Sequence, residues 1–182
     1  WDPVGCLERG EDPSDPDRDR EGYKLATADF ILSYSVDLRS LAITPVVLPV
    51  DANTNNNFGE VDHLNLAVKA YLLYKDTDID LMFLSNGSRS ARYGIDFSRN
   101  ITSNFEFHGE WAHISKVEKT VTDSSGNTNS ESRTANNYLL GLRYLTENDT
   151  TIIAEYYRNG AGFSRSQMSD FYQAVHTAGD TS

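Results

Sequence analysis

The sequence predicts an all-β protein: a segment of about eight antiparallel strands from a transmembrane β-barrel, with short periplasmic turns and long extracellular loops. Three observations carry this. Between residues 23 and 159 nearly every segment alternates apolar and polar side chains, several do so over lengths that suit a bilayer crossing, and short connections alternate with long ones.

Residues 1–22 hold three of the five prolines and a dense run of acids, which predicts an extended extracellular loop. The strands begin at 23–36, where Ala26, Ala28, Phe30, Leu32 and Tyr34 share one face. A second strand is expected at 40–50, although Pro45 and Pro49 remove ladder donors and argue for a bulge or against the strand. The third, HLNLAVKAYLLYK, keeps one register for thirteen residues. Ordinary strands run about five or six residues and a tilted bilayer-crossing strand about nine to eleven, so this length favours the crossing.

Strands follow at 78–86, in SARYGIDFSRN, in NFEFHGEWAH, in NYLLGLRYLTEN and at 150–159. Short turns fall at SVDLRS, KDTDID, SRNITS and TENDTT. Long polar loops fall at 51–63 and 119–136, with 85–90 the one short connection on the long side. Sorting of loops by parity is the habit of an outer-membrane barrel, and a soluble sandwich has no reason for it. Residues 160–182 predict a polar loop or a short helix over SQMSDFYQAVHT.

Composition narrows the function. The 182 residues carry 27 acids against 16 Lys and Arg, a net charge of -11, which excludes a typical nucleic-acid binder. Hydrophobic residues reach only 38%, yet aromatics reach 11% with ten Tyr, which favours strands over disorder. A single cysteine excludes a disulfide framework, and no apolar run reaches about eighteen residues. Both ends fall on the long-loop side, and the chain ends AGDTS without a closing aromatic, so a stretch of a larger barrel is expected.

The segments REGYKLATADFILSYSVDLRSLAITPVVLPV and NYLLGLRYLTENDTTIIAEYYRNGAGFS resemble large Gram-negative outer-membrane β-barrels of the porin and export-channel kind. The resemblance covers roughly residues 21–165 and is one of architecture. It implies an outer-membrane channel or a structural barrel and supplies no substrate.

The polar faces carry the candidate site. Asp29, Lys69, Asp80, Arg92, Asp96, Glu106, His108, Glu110, Arg143 and Glu155 would line a wet lumen, where charge costs little and shapes ion preference. The same residues could instead brace the wall as pairs, such as Arg92 or Arg143 with Glu106 or Glu110. Tyr34, Tyr74, Phe97, Trp111, Tyr138 and Tyr144 are expected on the apolar face as membrane-interface aromatics. His108, Glu110 and His113 form an H-x-E-x-x-H string, but a strand turns His113 away from the other two, so no metal site is expected.

Glu106 and Glu110 lie about 13 Å apart by strand rise, too far for a glycosidase pair. Asp15, Asp17 and Asp19 offer hard oxygen ligands for Ca²⁺ without EF-hand spacing, and a solvated acidic loop is the preferred reading. Cys6 has no nearby histidine to activate it.

No cofactor motif and no convergent nucleophile and base occur, so no enzyme is expected. The leading expectation is passage of small polar or charged solutes through an outer-membrane channel surrounded by lipid. A second is a structural or sheath barrel that houses or anchors a partner protein, such as a cytochrome or export machine, or forms an oligomer. A third is a soluble β-sandwich that binds carbohydrate through Tyr and Trp.

Overall fold

A computed structural model describes residues 22–179. The acidic loop with Cys6, Asp15, Asp17 and Asp19 lies outside these residues. The described chain forms nine strands and one helix: β1 (Ala26–Thr27), β2 (Phe30–Leu32), β3 (Leu38–Val50), β4 (His63–Tyr74), β5 (Thr77–Leu84), β6 (Arg92–Thr102), β7 (Phe105–Thr122), β8 (Thr128–Leu145), β9 (Thr151–Arg158) and α1 (Arg165–Gly179). Each strand from β3 to β9 pairs antiparallel with its sequence neighbour, and β1 and β2 both pair with β3. The sheet is open, with β9 at one edge and β1 and β2 at the other.

The expected first strand is therefore two pieces. β1 meets Val46 and Val47, β2 meets Leu41 to Ile43, and Ala28 and Asp29 pass Thr44 and Pro45 unpaired. Pro45 explains the break, because it has no N–H to offer on that side; its carbonyl accepts from Thr27 Oγ1 instead, at 3.1 Å. Neither proline disturbs the other side, where Pro45 and Pro49 stand opposite Val68 and Leu64 in an unbroken register. The one irregularity between β3 and β4 lies at Leu38–Ser40, so the bulge anticipated at the prolines is absent. Prolines aimed at the outermost strands are the arrangement a sheet tolerates.

Four tight connections share one end of the sheet: 33–37, 75–76, 103–104 and 146–150. At 75–76 both Lys75 and Asp76 take positive φ, 47° and 58°, the backbone of a two-residue turn whose twist matches the strands. Arg39 holds Asp76 at 2.8 Å. The opposite end carries 51–62, 85–91, 123–127 and the 159–164 segment that leads into α1.

One expectation fails here. Residues 119–136 are not a long loop, because β7 continues to Thr122 and β8 begins at Thr128, paired from Val117–Arg133 to Thr122–Thr128. At about 3.4 Å per residue, the 18 residues of each strand span roughly 60 Å. Above Ile114, where β6 stops pairing, the two strands run alone as a ribbon. Its turn is closed by Asp123, which accepts from the N–H groups of Ser125 and Asn127 at 2.9 Å.

Of the polar loop or short helix expected over 160–182, the helix is what forms, as α1. Ser164 and Gln167 cap it reciprocally: Ser164 Oγ accepts from Gln167 N at 3.2 Å, and Gln167 Oε1 accepts from Ser164 N at 2.9 Å.

Candidate functional site

Pairing fixes which side chains share a face, since directly opposed residues point the same way. One face carries Leu66, Leu81, Ile95, Trp111, Leu140 and Tyr156, and it is open to solvent: Leu66 is 50% exposed, Trp111 40% and Tyr156 61%. Among the described residues no second sheet covers them. The other face is the more sheltered one, and its side chains from β3, β5 and β7 gather with Phe58 in a single buried cluster; it is termed the concave face and the open one the convex face.

Register places the expected lumen residues of β4 to β9 on the concave face. In the half near the short turns, Asp80 stands opposite Asp96, and Asp96 opposite Glu110, so three carboxylates lie side by side on adjacent strands. Lys69 reaches Asp80 at 3.0 Å. One row lower, His108 sits between two acids, its Nδ1 3.4 Å from Glu106 and its Nε2 3.3 Å from Glu155. It crosses β8 over Gly141, the one residue type that fits, because a Cβ there would collide with the imidazole. Arg143 faces Glu106 at 3.7 Å, one of the anticipated wall-bracing pairs.

Two candidates stand apart. Asp29 accepts from Thr44 Oγ1 at 2.6 Å in the gap between β1 and β2, and Arg92 lies higher, opposite Leu84 and Ile114. Asp78 and Tyr71 belong to the ionic group and were missed. Tyr71 Oη donates to Asp78 at 2.5 Å, and Asp78 shares the parity of Asp80, a signal already present in the sequence.

The half near the long loops is different. Loop 51–62 folds over the concave face and buries Phe58 to 1% exposure among Leu48, Val50, Leu84 and Ala112. The Arg89 guanidinium lies 4.0 Å from the Phe58 ring centre and its Nε donates to the Phe58 carbonyl. Buried Asn65 ties the loops to the wall: its Oδ1 accepts from Ser88 N at 2.9 Å, and its Nδ2 donates to Ser88 Oγ at 2.9 Å and Leu48 O at 3.2 Å. None of this cluster's loop residues was anticipated.

The H-x-E-x-x-H string is split as strand geometry requires, with His108 and Glu110 concave and His113 on the convex face beside Trp111 and Tyr93. Among the described residues no group of three metal-ligating side chains converges. Of the expected interface aromatics, Tyr74 and Tyr144 lie on the convex face at the short-turn end, and Tyr34 is exposed in the 33–37 turn. Trp111 and Tyr138 face each other nearer the long-loop end. Phe97 lies between these groups, its ring 5.3 Å from that of Phe107 and against Gly109.

Comparison with known proteins finds no matching family model, no matching curated protein and no matching solved structure.

Proposed function

We propose that this sheet is wall of a Gram-negative outer-membrane β-barrel channel that passes small polar or charged solutes, its convex face against lipid and its concave face against water. The observation that carries the reading is the contrast between the two faces. An uncovered apolar face spans β3 to β9, and opposite it carboxylates, Lys69, Arg143 and His108 crowd the concave side. In water the convex face would be a standing aggregation surface, whereas lipid satisfies it. The ionic residues need the reverse, because several carboxylates set side by side are tolerable only where water or counter-ions reach them.

Short turns gathered at one end add support. So does the ribbon: beyond Ile114 its convex face carries Glu118, Thr120 and Thr122 opposite Ser132, Ser130 and Thr128, so the apolar band stops where a membrane surface would lie.

Two measurements test this. After alkaline carbonate extraction of Gram-negative cells producing the protein, it is expected in the outer-membrane pellet, and the purified protein is expected to give stepwise conductance in planar bilayers. Release into the soluble fraction would overturn the membrane reading. Membrane retention without conductance would favour the sheath role over the channel.

A further inference from the structure

At the short-turn end of the concave face, Asn100 of β6, Glu106 of β7 and Arg143 of β8 stand directly opposite one another in one row across three neighbouring strands. Side chains so opposed start about 5 Å apart, so an amide, a carboxylate and a guanidinium converge. With the 103–104 turn and Leu145 they enclose a hollow of about 210 Å³, lined by Asn100, Ser103, Asn104, Glu106, Arg143 and Leu145. Asn104 fixes its rim: Oδ1 accepts from Thr102 Oγ1 at 2.8 Å, and Nδ2 donates to the Leu145 carbonyl at 3.2 Å.

The polar groups around the hollow are not used up by one another. Arg143 stands 3.7 Å from Glu106, beyond hydrogen-bond reach, and His108 Nδ1, 3.4 Å from the same carboxylate, makes no hydrogen bond to it. Among the described residues no hydrogen bond engages the Asn100 amide, the Ser103 hydroxyl or the Arg143 guanidinium. A guanidinium and a carboxylate therefore face one small space with hydrogen-bonding capacity to spare. That pattern is selective. A simple anion there would meet Glu106 and a simple cation would meet Arg143, each at a like-charge cost, whereas a molecule bearing both charges satisfies both.

We infer that this hollow binds a small free α-amino acid as its zwitterion, the carboxylate on Arg143 with the Asn100 amide and the Ser103 hydroxyl, and the ammonium on Glu106. The inference rests on the proposed channel, whose solute class it names. An α-amino acid carries its two charges on neighbouring groups, matching a guanidinium and a carboxylate set side by side in one row. Size agrees: with a water-sized group taking about 30 Å³, the space holds about seven heavy atoms, which suits alanine or serine. Leu145 supplies an apolar surface for the short side chain. A shallow site open to water is what a conducting path needs, because an occupant has to leave as readily as it enters.

Saturation-transfer NMR of L-alanine titrated against the full chain in detergent micelles, with empty micelles as the blank, tests this. A saturable signal is expected, with propionate and ethylamine, which each lack one of the two charges, bound about tenfold more weakly. Glu106→Gln should remove the preference for alanine over propionate, and Arg143→Gln the preference for alanine over ethylamine. A signal no greater than the blank, equal binding of propionate or ethylamine to the unaltered chain, or preferences that survive both substitutions would each overturn the assignment. The readout needs no conducting pore. Stepwise conductance with no alanine binding would remove the site and leave the channel, whereas alanine binding with no conductance would keep the site and remove the channel.

Discussion

The two halves of the concave face are built from the same strands and solve opposite problems. Near the long loops the wall is dry: Leu48, Val50, Leu84 and Ala112 close on Phe58, and the buried amide of Asn65 has its oxygen and its nitrogen both hydrogen-bonded. Near the short turns it is ionic, with Asp80, Asp96 and Glu110 side by side and only partly sheltered. Burial therefore tracks the loops that fold inward and not the strands themselves. Packing stabilises the first half; in the second, Lys69 offsets Asp80 and Arg143 and His108 offset Glu106, while Asp80 Oδ1 and Glu110 Oε2 are buried without a hydrogen-bond partner among the described residues.

The largest expected effect breaks the dry half. Phe58→Ala removes a ring packed on several strands and should cost about 3–5 kcal/mol, read as a shift of the unfolding midpoint in urea. A shift below about 1 kcal/mol would mean that the loop is not anchored by this ring. Asn65→Ala comes next. It leaves Ser88 N and Leu48 O without their side-chain partner, and a loss of about 1–3 kcal/mol is expected in the same assay. An unaltered midpoint would show that water replaces the amide, and the half would then not be dry.

Legibility divides along the same line. The strands could be read because each presents different chemistry to its two sides, and a period of two survives any arrangement of neighbours. Leu64, Leu66 and Val68 alternate with Asn65, Ala67 and Lys69 in the sequence just as they do across the sheet. The lumen candidates followed from the same parity. The ribbon was hidden because Glu118, Thr120 and Thr122 are polar on one side and Lys119 and Glu131 are polar on the other, which removes the alternation. Phe58 was hidden for another reason: it lies in DANTNNNFGEVDH, whose composition predicts a loop correctly but says nothing of where the loop folds. The break between β1 and β2 comes from Pro45 on the neighbouring strand, information that the broken segment does not itself contain.

The ionic half should respond in selectivity and hardly in stability. Lys69→Met removes the partner of Asp80 from a pair in which the lysine is 49% exposed and the aspartate 19%, so about 1 kcal/mol of stability is at stake. If this face lines the conducting path, the reversal potential in a KCl gradient should move towards the cation value, because the carboxylates then go less opposed. A reversal potential identical to that of the unaltered protein would place the path elsewhere.

The ribbon tip offers a third environment, with neither packing nor a neighbouring wall, and the smallest expected effect. The Asn127 side chain and backbone N–H, with the N–H groups of Ser125 and Gly126, hold the exposed Asp123 carboxyl below the ordinary aspartate value. A lowered folded value means that the charged form is the one the turn binds. Its contribution is in place above the unfolded aspartate value and is lost as the pH falls through the lower folded value. Carboxyl ¹³C NMR of Asp123 should titrate below a free aspartate, and Asn127→Ala should raise the midpoint. An unmoved midpoint in that variant would leave the backbone N–H groups as the whole cause, and the tip would then be ordered by its turn geometry without the Asn127 side chain.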